Sequence, residues 1–352
     1  MENRDHQKSR AGTGYTVINN MTEHKTSRKF IVAILVLPVI AVVYYAISNI
    51  GVKTKTVPKE SAHSSVVFDM DPTGSFPNVE ITAKSAIVYD ALHNKIFYSK
   101  NSGDVMSLAS LTKIMTSLIA TETAPSYTLL TIKQNQLSEE GDIGLRPNEI
   151  WKLGDLSNFM LISSSNDAAR AIALSIGNQP DSDSSQYENG NVKFLEMMNK
   201  KAIELNLNSF VFMNETGLDR NITMPGAIGS AKDVAKLVSY IIKKYPDLLS
   251  VTKYPDIKVT SNSNIEHYAS NTNNGVSKYP YLLASKTGYT ELAGGNLMVA
   301  IDRKEKGSPH PIVIVVLGST LTDRFKDAEK LMGALENYLP MNRTTDSLVK
   351  PQ

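Results

Sequence analysis

The sequence predicts an α+β fold. Three observations support this. Strand-like apolar segments bracket the folded region, helical periodicity fills its middle, and strands and helices do not alternate as a parallel βαβ sheet would require. Residues 84–90 and 95–100 read as two strands around a turn at Leu92-His-Asn94. Leu111, Ile114, Met115, Leu118 and Ile119 then mark one helical face, and residues 156–161, 167–176, 194–205 and 231–244 are further helical stretches. Residues 296–302 and 312–318 read as buried strands, and 323–339 as a closing helix. The sheet must therefore join the two ends of the domain. Residues 181–190 (DSDSSQYENG) have the composition of a surface loop.

Four segments surround this domain, which is expected at 81–340. Residues 1–29 form a polar tail. The uncharged run at 30–47 (FIVAILVLPVIAVVYYAI) is about long enough to cross a bilayer and defines a segment at 30–50. A spanning helix tolerates Pro38 in its middle, and Tyr44 and Tyr45 sit where an interfacial belt would place them. An uncleaved signal-anchor is the preferred reading, because the run exceeds the usual signal-peptide core of about 7–15 residues. A cleaved signal peptide ending near Ala46-Ile-Ser48 and a buried core helix are the alternatives. Residues 51–80, rich in Ser, Pro, Thr and Lys, suit a solvated tether, and 341–352 a C-terminal tail.

Composition removes several classes of function. Among 352 residues, 37 Lys and Arg face 35 Asp and Glu, and this near-neutral balance gives no reason to expect nucleic acid as a partner. The chain has no cysteine, which excludes disulfides, thiol nucleophiles and thiolate-bound metals. Its six histidines are scattered, with no pair at helical ligand spacing, so the sequence calls for no metal and no cofactor.

Three short motifs carry the chemistry. In Ser110-Leu-Thr-Lys113 the spacing of three puts both side chains on one helical face, where an amine can take the hydroxyl proton. The amine must be neutral to do so, and burial or a second cation favours that state. Ser110 also begins its helical segment, so backbone N–H groups and the helix dipole can hold an oxyanion. The motif recurs at Ser250–Lys253 and Ser347–Lys350, so it is weak alone. Ser164-Ser-Asn166 lies between two helical stretches. It reads either as a turn with an N-cap or as a site element, with Ser164 in a proton path and Asn166 holding a peptide backbone. Lys286-Thr-Gly288 comes just before a strand-like segment. It reads either as an exposed lysine before a glycine turn or as a clamp for a terminal carboxylate. In the second reading Lys286 is also the cation that lowers the pKa of Lys113, and the N–H of Tyr289 completes an oxyanion hole with that of Ser110.

In this order the motifs resemble those of the penicillin-binding proteins and serine β-lactamases. The flanking residues narrow the resemblance to the D-alanyl-D-alanine carboxypeptidase family of low-molecular-mass penicillin-binding proteins. These are Ala109-Ser-Leu-Thr-Lys-Ile-Met-Thr116, Ser165-Asn-Asp-Ala-Ala169, Met198-Asn-Lys-Lys-Ala202, Thr216-Gly-Leu-Asp219, Asn271-Thr-Asn273, Lys286-Thr-Gly-Tyr-Thr290 with Ala293-Gly294, and Val316-Leu-Gly318. The resemblance covers roughly residues 81–339. It implies an antiparallel sheet packed by helices, with an inserted helical region and the site between them. It also implies release of terminal D-alanine from peptidoglycan stem peptides through an acyl-enzyme on Ser110, with Lys113 as base, and Arg324 as a further candidate for the substrate carboxylate. β-Lactams would be covalent inhibitors. Because the substrate is extracytoplasmic, the resemblance puts the catalytic domain outside the cytoplasmic membrane, with 1–29 in the cytoplasm and 30–50 as a single-pass anchor.

The chain departs from the family pattern at Leu108 and Glu215, where proline is usual, and at Ala284-Ser285 before the lysine. It also stops soon after residue 339, so the extra β-rich domain and C-terminal anchor of many relatives are not expected. Three other activities compete with the carboxypeptidase. They are a D,D-endopeptidase with the same site, a β-lactamase using a carboxylate such as Glu196, and a peptidoglycan-binding protein without turnover.

Overall fold

The computed structural model describes residues 75–137, 144–178, 188–304 and 307–339. The apolar run at 30–47, the tether up to residue 74, the loop at 181–187 and the tail at 341–352 lie outside the described residues. Among the described residues, no helix is long and apolar enough to cross a membrane.

In chain order the strands are β1 (Ser85–Asp90), β2 (Lys95–Lys100), β3 (Met106–Ser107), β4 (Leu129–Thr131), β5 (Ile150–Lys152), β6 (Val211–Phe212), β7 (Ala227–Gly229), β8 (Asp256–Thr260), β9 (Glu266–Ser270), β10 (Leu282–Thr290), β11 (Gly294–Asp302) and β12 (Pro311–Ser319). The helices are α1 (Thr112–Thr123), α2 (Leu153–Ser163), α3 (Asn166–Gly177), α4 (Glu188–Glu204), α5 (Ala231–Lys244) and α6 (Asp323–Tyr338). Five strands form the main sheet, in the order β10-β11-β12-β1-β2, and every pairing is antiparallel. The sheet does join the two ends of the domain, because β1 pairs with β12 from Ser85↔Leu317 to Asp90↔Ile312.

The three central strands are apolar on both faces because both faces are covered. Ala86, Val88, Leu297, Val299, Ile312, Ile314 and Val316 pack with Ala328, Leu331 and Leu335 of α6. The alternate residues Ile87, Met298, Ala300, Val313 and Val315 belong to the larger core, with α1, α2, α3 and α5. Burying an aliphatic side chain of this size contributes about 1.5–3 kcal/mol. The buried Asp327 carboxylate ties the start of the domain to α6. It accepts from the Thr82 and Ala83 N–H groups at 2.9 and 2.8 Å and from Ser319 Oγ at 2.7 Å. The folded part reaches back past Ile81, with the Phe76 ring 5.6 Å from Tyr98 and 5.3 Å from Tyr338.

The structure departs from the sequence pattern at β10 and at the start of α4. Lys286-Thr-Gly288 does not precede a strand but lies inside one, β10, at an edge of the sheet. Polar Ser285, Lys286 and Thr287 interrupt the apolar signal there. Helix α4 starts at Glu188, earlier than its apolar pattern from Phe194 indicates.

Candidate active site

The segment that carries Ser110 is a 3₁₀ turn, Ala109–Leu111, that runs directly into α1. Ala109 has φ +47°, a left-handed conformation that an alanine rarely adopts. Its carbonyl accepts from Thr112 Oγ1 at 2.7 Å. The turn is pinned on two sides. Leu108 donates its N–H to Ala227 O at 3.0 Å, and Asn296 Nδ2 donates to Ser107 O at 2.9 Å. Gly217, at φ +83°, packs so closely that a Cβ there would come within 1.8 Å of Ala109 O. This contact sets the preceding carbonyl, that of Thr216, beside the lysine of the first motif.

Lys113 is fully buried. Its Nζ lies 2.9 Å from Ser110 Oγ, 2.7 Å from Asn166 Oδ1 and 2.7 Å from Thr216 O. Asn166 Oδ1 and Thr216 O can only accept hydrogen bonds, and together they occupy two N–H groups. The third direction faces a hydroxyl, which can either accept or donate.

The middle motif divides its work. Ser165 is the N-cap of α3, accepting from the Ala168 N–H at 3.0 Å. Ser164, at φ +63°, is the C-cap of α2. The turn-with-a-cap reading is therefore right for Ser165, and it frees the residues on either side for the site. Asn166 meets Lys113, while Ser164 Oγ accepts from Lys286 Nζ at 2.8 Å.

Lys286 is 2% exposed and also donates to Thr287 O at 2.9 Å. Burial, followed by the charges on Lys113 and Arg324, holds its amine well below the ordinary lysine range. Thr287 Oγ1 donates to Thr272 Oγ1 at 2.6 Å. A Cβ on Gly288 would lie 3.0 Å from Leu108 O and 3.1 Å from Ser110 N, so β10 runs directly alongside the Ser110 turn. Tyr289, next along this edge strand, is exposed. Arg324 approaches from α6 and donates through Nη1 to Gly288 O at 2.8 Å, and burial lowers its pKa to about 10. Its guanidinium therefore braces the strand that carries the third motif.

A family profile described as D-alanyl-D-alanine carboxypeptidase matches residues 71–320. The chain belongs to that family. It is 30% identical over 256 residues to the D-alanyl-D-alanine carboxypeptidase DacF of Bacillus subtilis, an alignment covering 71% of this chain and 61% of that protein, less than two thirds of its length. It is 28% identical over 264 residues to a D-alanyl-D-alanine endopeptidase of Escherichia coli, covering 73% of this chain and 78% of the relative. A penicillin-binding protein of Listeria monocytogenes, solved in its cefotaxime-bound form, superposes with a TM-score of 0.60 at 26% identity, covering 73% of this chain and 98% of that one. The fold is the penicillin-binding fold, mixed helix and antiparallel sheet.

All three motifs of this carboxypeptidase-family member meet at one site. The other candidates stay out of it. Ser250–Lys253 is a 3₁₀ turn in which Ser250 Oγ donates to Asp247 O and Lys253 lies over the Tyr254 ring. Ser347–Lys350 lies outside the described residues. Glu196 is exposed on α4, in a shallow surface depression with Val192, Asn199 and Ile203. Thr216 and Thr272 fall within two of the blocks that carry the family resemblance, but the sequence gives neither one a role. One acts through its carbonyl, and the other is a hydroxyl among asparagines, so neither gives a residue-type signal.

Proposed function

We propose that the protein is a serine-type D-Ala-D-Ala carboxypeptidase that removes terminal D-alanine from peptidoglycan stem peptides. The observation that carries this reading is the placement of Lys113 Nζ between two obligate acceptors and the Ser110 hydroxyl. In its neutral form the amine donates its two protons to Asn166 Oδ1 and Thr216 O, and its lone pair faces the Ser110 O–H. Ser110 Oγ then attacks the penultimate D-Ala carbonyl as its proton passes to Lys113. The oxyanion is held by the N–H groups of Ser110 and Tyr289. The C–N bond breaks, the departing amine takes a proton by way of Ser164, and water hydrolyses the ester to regenerate Ser110.

The substrate's terminal carboxylate would meet Lys286 and Thr287, with Arg324 adding positive field behind the strand. Lys286 is a buried amine disfavoured as a cation, and an incoming carboxylate reverses that balance. β10 is an edge strand of the sheet, so an extended peptide would lie along it past Lys286, with Gly288 allowing the close approach to Ser110. β-Lactams would acylate the same serine. With the run at 30–47 as a single-pass anchor, the domain would act on the outer side of the cytoplasmic membrane.

The endopeptidase relatives support a second reading, cleavage of cross-links at the same D-Ala carbonyl. Incubating the full-length chain in detergent with purified pentapeptide and cross-linked muropeptides separates the two. Mass spectrometry should show loss of one alanine from pentapeptides, absent in Ser110→Ala. Splitting of cross-links alone would assign the endopeptidase, and no Ser110-dependent product would refute both.

A further inference from the structure

The histidines that look scattered in sequence are not all scattered in space. At the end of the main sheet away from the cleft, His93 Nδ1 lies 2.8 Å and His310 Nε2 2.9 Å from the same oxygen, Asp90 Oδ2. The two rings meet edge to face with centroids 5.2 Å apart. Among the described residues, this group brings three ligating atoms within 4.8 Å of one another. We propose that Asp90, His93 and His310 form a site for one divalent transition-metal ion, zinc matching best, with water as the fourth ligand.

The donor set is two imidazoles and one carboxylate, which suits zinc and not calcium or magnesium. The carboxylate is already oriented. Its other oxygen, Oδ1, accepts from the Leu92 and His93 N–H groups at 2.9 and 3.0 Å, which presents Oδ2 to both rings. His310 is held through its own backbone, its N–H donating to Asp302 Oδ1 at 2.8 Å and its carbonyl accepting from Arg303 at 2.9 Å. Ligand atoms about 2.1 Å from a tetrahedral zinc lie roughly 3.4 Å apart, so binding requires small outward shifts from the present contacts. Asp90 and His310 are buried while the His93 side chain is 55% exposed, which leaves an entry path and a swinging ligand.

Such an ion would clip the β1–β2 turn to the start of β12. Ser110 lies beside Gly288, which pairs with Asn296, and the stretch of β11 from Asn296 to Asp302 puts roughly 20 Å between the two ends, so a stabilising role, not a catalytic one, follows.

The test uses the chelator-stripped full-length chain in detergent, titrated with zinc chloride by calorimetry and followed by thermal unfolding. One saturable site is expected, with a raised Tm at excess zinc. His93→Ala, a surface change, should weaken that site by at least about 100-fold and abolish the Tm shift, as should His310→Ala. Penicillin labelling of His93→Ala should equal that of wild type, which keeps this proposal separate from the catalytic one. No saturable binding, or binding unchanged in both histidine variants, would overturn it.

Discussion

The middle and the edge of the main sheet follow opposite rules. In β1, β11 and β12 apolar side chains fill both faces, and only glycines, Gly294 and Gly318, take a positive φ. At the β10 edge, Ala109 and Ser164 take left-handed conformations, and Lys113, Lys286 and Arg324 are all buried within a few residues of one another's partners. Strain and desolvated charge of this kind persist only where a rigid surround holds them. The central strands and α6 therefore supply stability, while the edge holds ionisable groups in states they would not adopt in water.

The strongest way to break this division is at Lys113. Lys113→Ala should lower the rate of penicillin acylation by about 10²–10⁴-fold with little loss of fold, as judged by labelling kinetics beside circular dichroism. Lys113→Arg should fail equally, because a guanidinium does not give up its proton. Normal acylation by either variant would remove the lysine-base account. The converse change lies in the core. Leu331→Ala should cost about 2–5 kcal/mol, seen as a lowered Tm, while labelling at low temperature stays near wild type.

Gly288→Ala probes the boundary between the two regions. Its Cβ would press on Leu108 O and Ser110 N at 3.0 and 3.1 Å, shifting strand against nucleophile by a few tenths of an ångström. Acylation should slow by about tenfold, and an unchanged rate would show that the close approach is not required. The smallest effect is expected from Lys286→Met in the unliganded protein. Because the folded pKa of Lys286 is depressed, the unfolded chain binds the extra proton over the alkaline window below about 10.5, so wild-type stability rises with pH there. The stability of wild type relative to Lys286→Met should therefore climb across that window, and denaturant melts at several pH values would show it. A difference that does not change with pH would mean the amine is not desolvated as described.

The legible and illegible parts of this chain divide along the same line. Segments with simple periodicity, such as β1, α5 and β12, are readable because one physical rule decides them. Strand β10 is not, since its buried polar Ser285, Lys286 and Thr287 break the apolar run, Ser285 bonding to Thr252 and the other two to Ser164 and Thr272. The three motifs were readable as residue types, but not which neighbour each would touch. That Ser165 caps α3 while Ser164 and Asn166 reach two different lysines depends on the helix junction. That Thr216 works through its carbonyl depends on Gly217 packing against Ala109. His93 and His310 sit far apart in the chain and become neighbours through the β1–β12 pairing, which no local spacing reveals.

If Ser110 is the nucleophile, a β-lactam will trap it as a stable ester. The full-length chain would be incubated with benzylpenicillin, its intact mass measured, and the adduct located by peptide mapping. One adduct per chain is expected, on the peptide carrying Ser110, and none in Ser110→Ala. An adduct on any other residue, or undiminished labelling of Ser110→Ala, would contradict the Ser110 assignment.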